Sequence, residues 1–407
     1  MVNFPDDFLW GAATSSHQVE GNNRNNDWWR WEKKAGLKDV SGQACRHYEF
    51  FKQDFDLAKA LCHNTHRFSV EWSRIEPREG QFSPQELEHY VEVVDALRER
   101  GLTPVVTLHH FTNPVWFADM GGWESRQACR YFLRYAENVV DALSGKVHFW
   151  VTINEPLVYV FNSYMAGVWP PQKTSLLAAA RVTDQMAAAH IRVYRLIHDI
   201  YRKKGLPAPA VSIAKNLRAF RACRGTLKNR CAAYLRNWTF NFNFLDRLNR
   251  QRCLDYIGVN YYTRDLADVR GWTPHHFAQD LCDQGHDPLP KNSLGWDIYP
   301  EGLYTLLVGL NKRYGLPVLI SENGICTEDD NQRWEYIRQH LLKVHEAMAS
   351  GVKVWGYLYW SLIDNFEWDK SFGPRFGLVE VDYASYQRRP RQSAAKFAAV
   401  CKTGTLE

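Results

Sequence analysis

Apolar residues gather along the chain in eight short runs rich in β-branched and aromatic side chains, at residues 8–14, 65–71, 103–108, 147–155, 209–214, 254–262, 316–322 and 353–361. Runs of that length and composition predict strands buried on both faces. Between them apolar positions recur every three or four residues. The first such stretch is 48–62, with Phe51, Phe55, Leu57, Ala58 and Leu61 on one side; later ones are 125–143, 174–204, 229–250, 301–314, 331–350 and 391–401. Ser83-Pro84-Gln85-Glu86 has the composition of a capped helix start, and Gly101 follows a basic last turn, so a further helix spans the gap before residue 103. Strand and helix alternating eight times predict an α/β protein, a single (β/α)8 barrel of the TIM type. No internal repeat, Gly/Ser linker or low-complexity segment interrupts it. Residues 1–407 are therefore read as one domain, with insertions after the strands supplying the length beyond the ~250 residues typical of the fold.

Two of the eight runs end alike. Val147-His148-Phe149-Trp150-Val151-Thr152-Ile153 runs into Asn154-Glu155-Pro156, and Leu316-Pro317-Val318-Leu319-Ile320-Ser321 runs into Glu322-Asn323-Gly324. Pro156 has no N–H for a ladder and biases its predecessor away from helix, which predicts an extended Glu155 at the strand's rim. The C-terminal ends of parallel barrel strands share one face, so the two carboxylates can converge. A lone strand-end carboxylate is ordinarily a solvated one; the repeated design points instead to paired carboxylates, the apparatus of glycoside hydrolysis. Gln18 stands at the rim of the first strand and His109-His110 at the end of the third. The two histidines have no third ligand nearby, so their position suits hydrogen bonding to a substrate better than holding a metal.

Composition narrows the field further. A net charge of +5, from 50 basic and 45 acidic residues, is too slight to imply a nucleic-acid or membrane-surface partner. Residues 215–252 depart from that balance, with eight arginines and two lysines against Asp246 alone, and are read as a solvated helix face. Nine cysteines without a C-x-x-C pair argue against a disulfide framework and against a zinc site. A reducing compartment is expected, and with no signal-peptide pattern at the N-terminus and no long uncharged apolar run, the expected location is cytoplasmic. The sequon Asn237-Trp238-Thr239 is of a kind that occurs by chance. Aromatic content is high, at 14% with 16 tryptophans, a modest carbohydrate signal because sugar C–H faces stack on aromatic rings.

With Thr152-Ile153-Asn154-Glu155-Pro156, Ile320-Ser321-Glu322-Asn323-Gly324 and Tyr359-Trp360-Ser361-Leu362-Ile363-Asp364-Asn365-Phe366-Glu367-Trp368 in place, the chain resembles glycoside hydrolase family 1. The resemblance runs from Phe8-Leu9-Trp10-Gly11-Ala12-Ala13 to Arg375-Phe376-Gly377-Leu378-Val379-Glu380. It implies retaining β-glycosidase chemistry, with Glu155 as general acid then base and Glu322 as nucleophile. Arg67 and Tyr262 match the residues that tune the nucleophile, and Arg67 is expected to hold Glu322 ionised. Substrate-binding positions carry over to Gln18, His110, Asn154, Asn260, Trp296, Trp360, Glu367, Trp368 and Phe376. Asn154 matches the partner of the sugar 2-hydroxyl, Trp360 the stacking platform and Trp296 the leaving-group side. The implied substrates are small β-glycosides or oligosaccharides with a terminal β-D-glucosyl unit, or a β-galactosyl or β-fucosyl one, since Glu367 can accept from either 4-hydroxyl epimer. No cofactor is implied, and no G-x-G-x-x-G or Walker pattern is present. Three departures are present: Phe111 stands where many members have tryptophan, which removes an indole N–H donor to a glycone hydroxyl, while Leu157 replaces an aromatic that often borders the aglycone site and the stretch between the fifth and sixth strands is short, which bear on the aglycone. The alternatives are a 6-phospho-β-glycosidase, disfavoured by Glu367 where those enzymes place serine, and an inactive carbohydrate-binding member of the fold, disfavoured by retention of both glutamates.

Overall fold

A computed structural model describes residues 1–37, 39–269 and 288–407. Eight parallel strands close into a barrel: β1 (Leu9–Ala13), β2 (Thr65–Ser69), β3 (Thr103–Thr107), β4 (Phe149–Asn154), β5 (Ala210–Ala222), β6 (Ile257–Ala267), β7 (Val318–Asn323) and β8 (Val354–Trp360). The closing pair is β1 with β8, in register from Leu9 opposite Gly356 to Ala13 opposite Trp360. The helices that return the chain are α1 (His47–Ala60), α2 (Pro84–Glu99), α3 (Ala128–Leu143), α4 (Leu176–Lys203), α5 (Leu227–Arg236), α6 (Asn243–Arg250), α7 (Pro300–Tyr314), α8 (Asp330–Ala349) and α9 (Gln392–Thr403). The (β/α)8 architecture expected from the alternation is the one observed.

Successive strand residues point to opposite faces, and the core divides accordingly. Val105, Val151, Ala210, Ala214, Tyr256, Leu319 and Leu358 pack together as one buried layer contributed by the strands and their starts, the filling of the barrel. Their neighbours Val106, Trp150 and Val211 join the larger cluster shared with the helices. At the N-terminus of α2 the Ser83 side chain accepts from the Glu86 N–H with Pro84 in the first turn, as its sequence predicts.

Two elements depart from expectation. The fifth and sixth strands were predicted to stop at 214 and 262, yet they pair onward past an irregularity between Leu217 and Ala219, from Ala219 opposite Arg264 to Ala222 opposite Ala267. Lys215, just past the expected strand end, is buried, donates from Nζ to the Asn216 carbonyl at 2.5 Å, and lies 4.2 Å from the Phe240 ring centre. Burial pulls its amine down to about 7. The second departure is the predicted helix 229–250, which is two helices joined by a wide turn, Asn237–Phe242. The basic stretch 215–252 is therefore not simply a solvated face: Arg218 pairs with Asp265 at 3.1 Å and Asp246 with Arg313 of α7 at 2.5 Å. Seven cysteines are free, but Cys223 is disulfide-bonded, which corrects the expectation of a thiol there; Cys282 lies outside the described residues. Among the described residues no helix is long and apolar enough to cross a membrane, and no group of three or more His, Cys, Asp or Glu is placed to hold a metal ion.

Candidate active site

β2, β4, β6 and β7 each deliver a polar side chain to the C-terminal mouth of the barrel. Glu322, the fifth residue of β7, is 3% exposed and is gripped from two sides. Arg67 Nη1 donates to its Oε1 at 2.6 Å and the Tyr262 hydroxyl to its Oε2 at 2.5 Å. Arg67, 1% exposed, is itself fixed by donating to Thr107 Oγ1 at 3.0 Å, the Ser321 carbonyl at 3.3 Å and Asn154 Oδ1 at 2.7 Å. Arg67 acts on the Glu322 carboxyl in the expected, lowering direction, but burial outweighs it. Desolvation pushes this carboxyl up to about 7; Glu155 adds to the rise, and Arg67 and Tyr262 oppose it.

Glu155 follows β4, and here too the expectation changes. Its backbone is left-handed, φ 44° and ψ 56°, rather than extended. A preceding-proline position excludes helix but leaves this alternative, uncommon for a residue with a Cβ. The conformation is held by its N–H donating to the Ala214 carbonyl at 2.7 Å and by its carbonyl accepting from Val158 at 3.0 Å and Tyr159 at 3.1 Å. Its Oε1 accepts from Asn216 Nδ2 at 3.0 Å and Asn260 Nδ2 at 2.9 Å. Asn260 also donates to Asn154 Oδ1 at 3.1 Å, and Ser321 Oγ donates to its Oδ1 at 2.7 Å, which turns the amide so that its N–H groups face the two partners. Asn260 thus orients Glu155 and Asn154. A continuous path of hydrogen bonds joins the two carboxylates: Glu155, Asn260, Asn154, Arg67, Glu322.

The remaining expected residues ring the mouth. Gln18 Nε2 donates to Asn365 Oδ1 and to the Phe366 carbonyl, each at 2.9 Å, and to Glu367 Oε2 at 3.2 Å. Burial, then the charges of Glu322 and Asp369, push the Glu367 carboxyl up to about 8 against that hydrogen bond. His110 shares a 3.2 Å contact between Nε2 and Asn154 Nδ2; burial, with Arg67 nearby, holds it neutral, so this nitrogen accepts. Its ring lies nearly parallel to those of Trp360 (5.9 Å, 18°) and Trp368 (6.1 Å, 13°). Trp360 and Phe376 form an apolar surface with Ala13 and Cys326, against which Tyr262 and Trp296 pack. Phe111 packs on Trp368 and Trp169.

Asn216 is the residue that sequence reasoning missed. It sits on the part of β5 beyond Lys215, outside the strand as predicted, and an asparagine in a loop carries no signal of its own. Knowing that the strand continued would have placed its side chain two positions along from Ala214, at the height of Glu155.

The family model for Glycosyl hydrolase family 1 matches residues 1–248 and 210–405. The chain is 30% identical over 446 aligned residues to Beta-glucosidase A of Thermotoga maritima, covering 99% of each. Among solved structures it matches a beta-glycosidase from Pyrococcus horikoshii with a TM-score of 0.91 and 40% identity, over 100% of this chain and 96% of that one. It also matches a beta-glucosidase from Thermotoga maritima in complex with glucoimidazole, with a TM-score of 0.91 and 28% identity over 99% and 100% of the two chains. A closed parallel barrel with paired carboxylates at its mouth and relatives of this kind over its full length establish that the chain belongs to glycosyl hydrolase family 1 and is a β-glucosidase-type O-glycosyl hydrolase.

Proposed function

We propose that the protein is a retaining, exo-acting β-glycosidase that removes terminal non-reducing β-D-glucosyl residues, and β-galactosyl or β-fucosyl residues as secondary substrates. The observation that carries this is the unlike treatment of the two buried carboxylates: Glu322 is paired with a cation and a phenol, whereas the hydrogen-bond donors to the Glu155 side chain among the described residues are the neutral amides of Asn216 and Asn260. Such a division of environments supports Glu322 as the nucleophile and Glu155 as the proton donor. In the first step a Glu322 oxygen attacks the anomeric carbon, the glycosidic C–O bond breaks, and Glu155 gives its proton to the departing oxygen. In the second, Glu155 takes a proton from water as that water attacks the same carbon and displaces Glu322. Two inversions leave the β configuration. Once glycosylated, Glu322 carries no charge, so its ester no longer repels the carboxylate that serves as base in the second step.

Gln18, His110, Glu367 and Trp368 would hold the glycone hydroxyls, Trp360 and Phe376 its apolar face, and Asn154 the 2-hydroxyl. A glycone phosphate beside Glu367 would meet the charge of Asp369 and would push the already raised Glu367 carboxyl further from its ionised form, which disfavours the 6-phospho reading. The test is hydrolysis of aryl β-D-glucoside, β-D-galactoside and 6-phospho-β-D-glucoside, with the first-formed anomer read by NMR. Turnover of the neutral sugars with the β anomer appearing first is expected; the α anomer first would sink the retaining mechanism, and no turnover by folded protein would favour a binding role.

Asn216 supplies a second test. Its amide and that of Asn260 converge on one oxygen of Glu155, so Asn216→Ala removes one of two donors to an oxygen that gains charge as the proton leaves, a loss of roughly tenfold in rate. The loss should be larger for alkyl glucosides, whose leaving group needs the proton, than for dinitrophenyl glucoside, which does not. An equal loss on both would make Asn216 a structural residue only.

A further inference from the structure

Lys215 is a buried cation that the two steps above do not use. Side chains alternate along β5: Ala214 lies in the inner layer of the barrel, Lys215 points outward beneath the Phe240 ring, and Asn216 turns back to Glu155 at the mouth. The Lys215 Nζ donates to the Asn216 carbonyl at 2.5 Å. Among the described residues no carboxylate pairs with it. An ammonium withdrawn from water without a counter-ion costs stability, and a methionine of like length would fill the same space without that cost. Such a group in the wall of an active site points to a role in the chemistry.

Two links tie this ammonium to Glu155. Asn216, whose carbonyl it holds, donates from Nδ2 to Glu155 Oε1 at 3.0 Å. The Oδ1 of that amide has no partner among the described residues, so its aim is set by the backbone that Lys215 fixes. Asn216 also stands opposite Asn260, the other donor to the same oxygen, just before the irregularity between Leu217 and Ala219. The second link is charge. Glu155, following β4, strengthens the hold of Lys215 on its proton, and Arg218, further along β5 and itself paired with Asp265, weakens it. Around Glu155 stand Glu322 from β7, Tyr262 from β6 and Glu367, all acids, while Arg67 is already paired with Glu322. Lys215 is thus a cation not committed to another carboxylate.

We propose that Lys215 is a positioning residue for the acid/base glutamate: its ammonium fixes the Asn216 amide on Glu155 Oε1 and offsets the charge that builds on Glu155 as the leaving oxygen takes its proton. The proposal rests on the β-glycosidase function proposed above. By reciprocity the new carboxylate tightens the hold of Lys215 on its own proton, so the ammonium persists while the glycosyl-enzyme lasts. Without that charge Glu155 gives up its proton less readily and keeps it to higher pH. Stability responds in the opposite sense. Burial pulls the amine from 10.5 to about 7, so between those values the unfolded chain binds more protons than the folded one. The penalty for burying Lys215 is therefore full below about pH 7 and fades as pH rises toward 10.5.

The experiment compares wild type with Lys215→Met, which keeps length and loses charge, and Lys215→Arg, which keeps charge. It records kcat/KM against pH on methyl and dinitrophenyl β-D-glucosides, and melting temperature at pH 6 and pH 9. In Lys215→Met, kcat/KM should fall about tenfold on the methyl glucoside, whose leaving group needs the proton, and less than about twofold on the dinitrophenyl glucoside, which does not. The alkaline limb of its profile should move up by about one pH unit, and its melting temperature should rise, more at pH 6 than at pH 9. Lys215→Arg should stay within about threefold of wild type, with the limb in place. Equal losses on both substrates with a lowered melting temperature, or failure of Lys215→Met to fold, would make Lys215 a brace of β5 and overturn the proposal. A Lys215→Met profile that matches wild type in leaving-group dependence and alkaline limb overturns it as well, as does a Lys215→Arg impaired to the same degree as Lys215→Met. Absence of turnover by folded wild type instead strikes the proposed function itself.

Discussion

Replacing Glu322 with alanine is expected to slow hydrolysis of an aryl β-D-glucoside by at least ~10⁵-fold, the scale of losing a covalent nucleophile, and added azide should restore part of the rate as an α-glycosyl azide. The stereochemistry follows from the geometry. With the carboxylate gone, a small anion can occupy its place beside Arg67 Nη1 and the Tyr262 hydroxyl and attack the anomeric carbon from the same side. A single displacement on a β-glycoside gives the α product. Stability should report the same charge balance. Removing Glu322 leaves the 1%-exposed guanidinium of Arg67 without its counter-ion, a change that costs about 3 to 5 kcal/mol for a buried pair. Azide should then raise the melting temperature of the variant and leave that of wild type unmoved. A variant that keeps a hundredth of wild-type activity, or one that makes β-glycosyl azide, would remove Glu322 from the nucleophile's role.

The barrel was legible because each buried strand advertises itself by a short β-branched run, and because strand ends carrying Asn154-Glu155 and Glu322-Asn323 share one face by the topology alone. What escaped depended on burial and on partners distant in sequence. Lys215 lies just past the expected end of the fifth strand at 214; its charge is visible in sequence and its cover by Phe240 is not. The real length of β5 was lost with it, and Asn216 in turn. Glu155 was placed correctly at the rim but in the wrong conformation: the proline rule forbids helix and is silent on the left-handed region, which the hydrogen bond to Ala214 selects. The part Asn260 plays in orienting Glu155 and Asn154 was hidden in the same way, because its amide partners are Asn154 and Glu155 at the end of β4 and its carbonyl partner is Ser321 of β7. The basic stretch 215–252 misled in the same way, its charges being paired with acids outside it such as Asp265.

Arg67 is where site and scaffold meet, and its replacement should show both. Arg67→Leu removes hydrogen bonds to β3, β4 and β7 at once, through Thr107, Asn154 and the Ser321 and Glu322 pair. A loss of about 10³-fold in kcat/KM is expected from the missing electrostatic support of the nucleophile. The pH profile separates this from mere disorder. Reaction requires ionised Glu322, whose pKa is about 7 with Arg67 present, so the acid limb of wild-type kcat/KM should lie near pH 7 and move upward in the variant. The sign of the stability effect follows from the same shift. The native carboxyl sits above its ordinary value of 4.5, so between that value and about 7 the folded state binds more protons than the unfolded chain, and stability falls as pH rises through that window. Without Arg67 the window reaches higher, and the variant's deficit in melting temperature should be greater at pH 8 than at pH 5. Arg67→Lys keeps a cation but cannot span four acceptors with one planar group, so it should return the acid limb toward wild type while recovering less of the stability. An acid limb identical in wild type and Arg67→Leu would make Arg67 a brace between strands and leave Tyr262 as the residue that tunes Glu322.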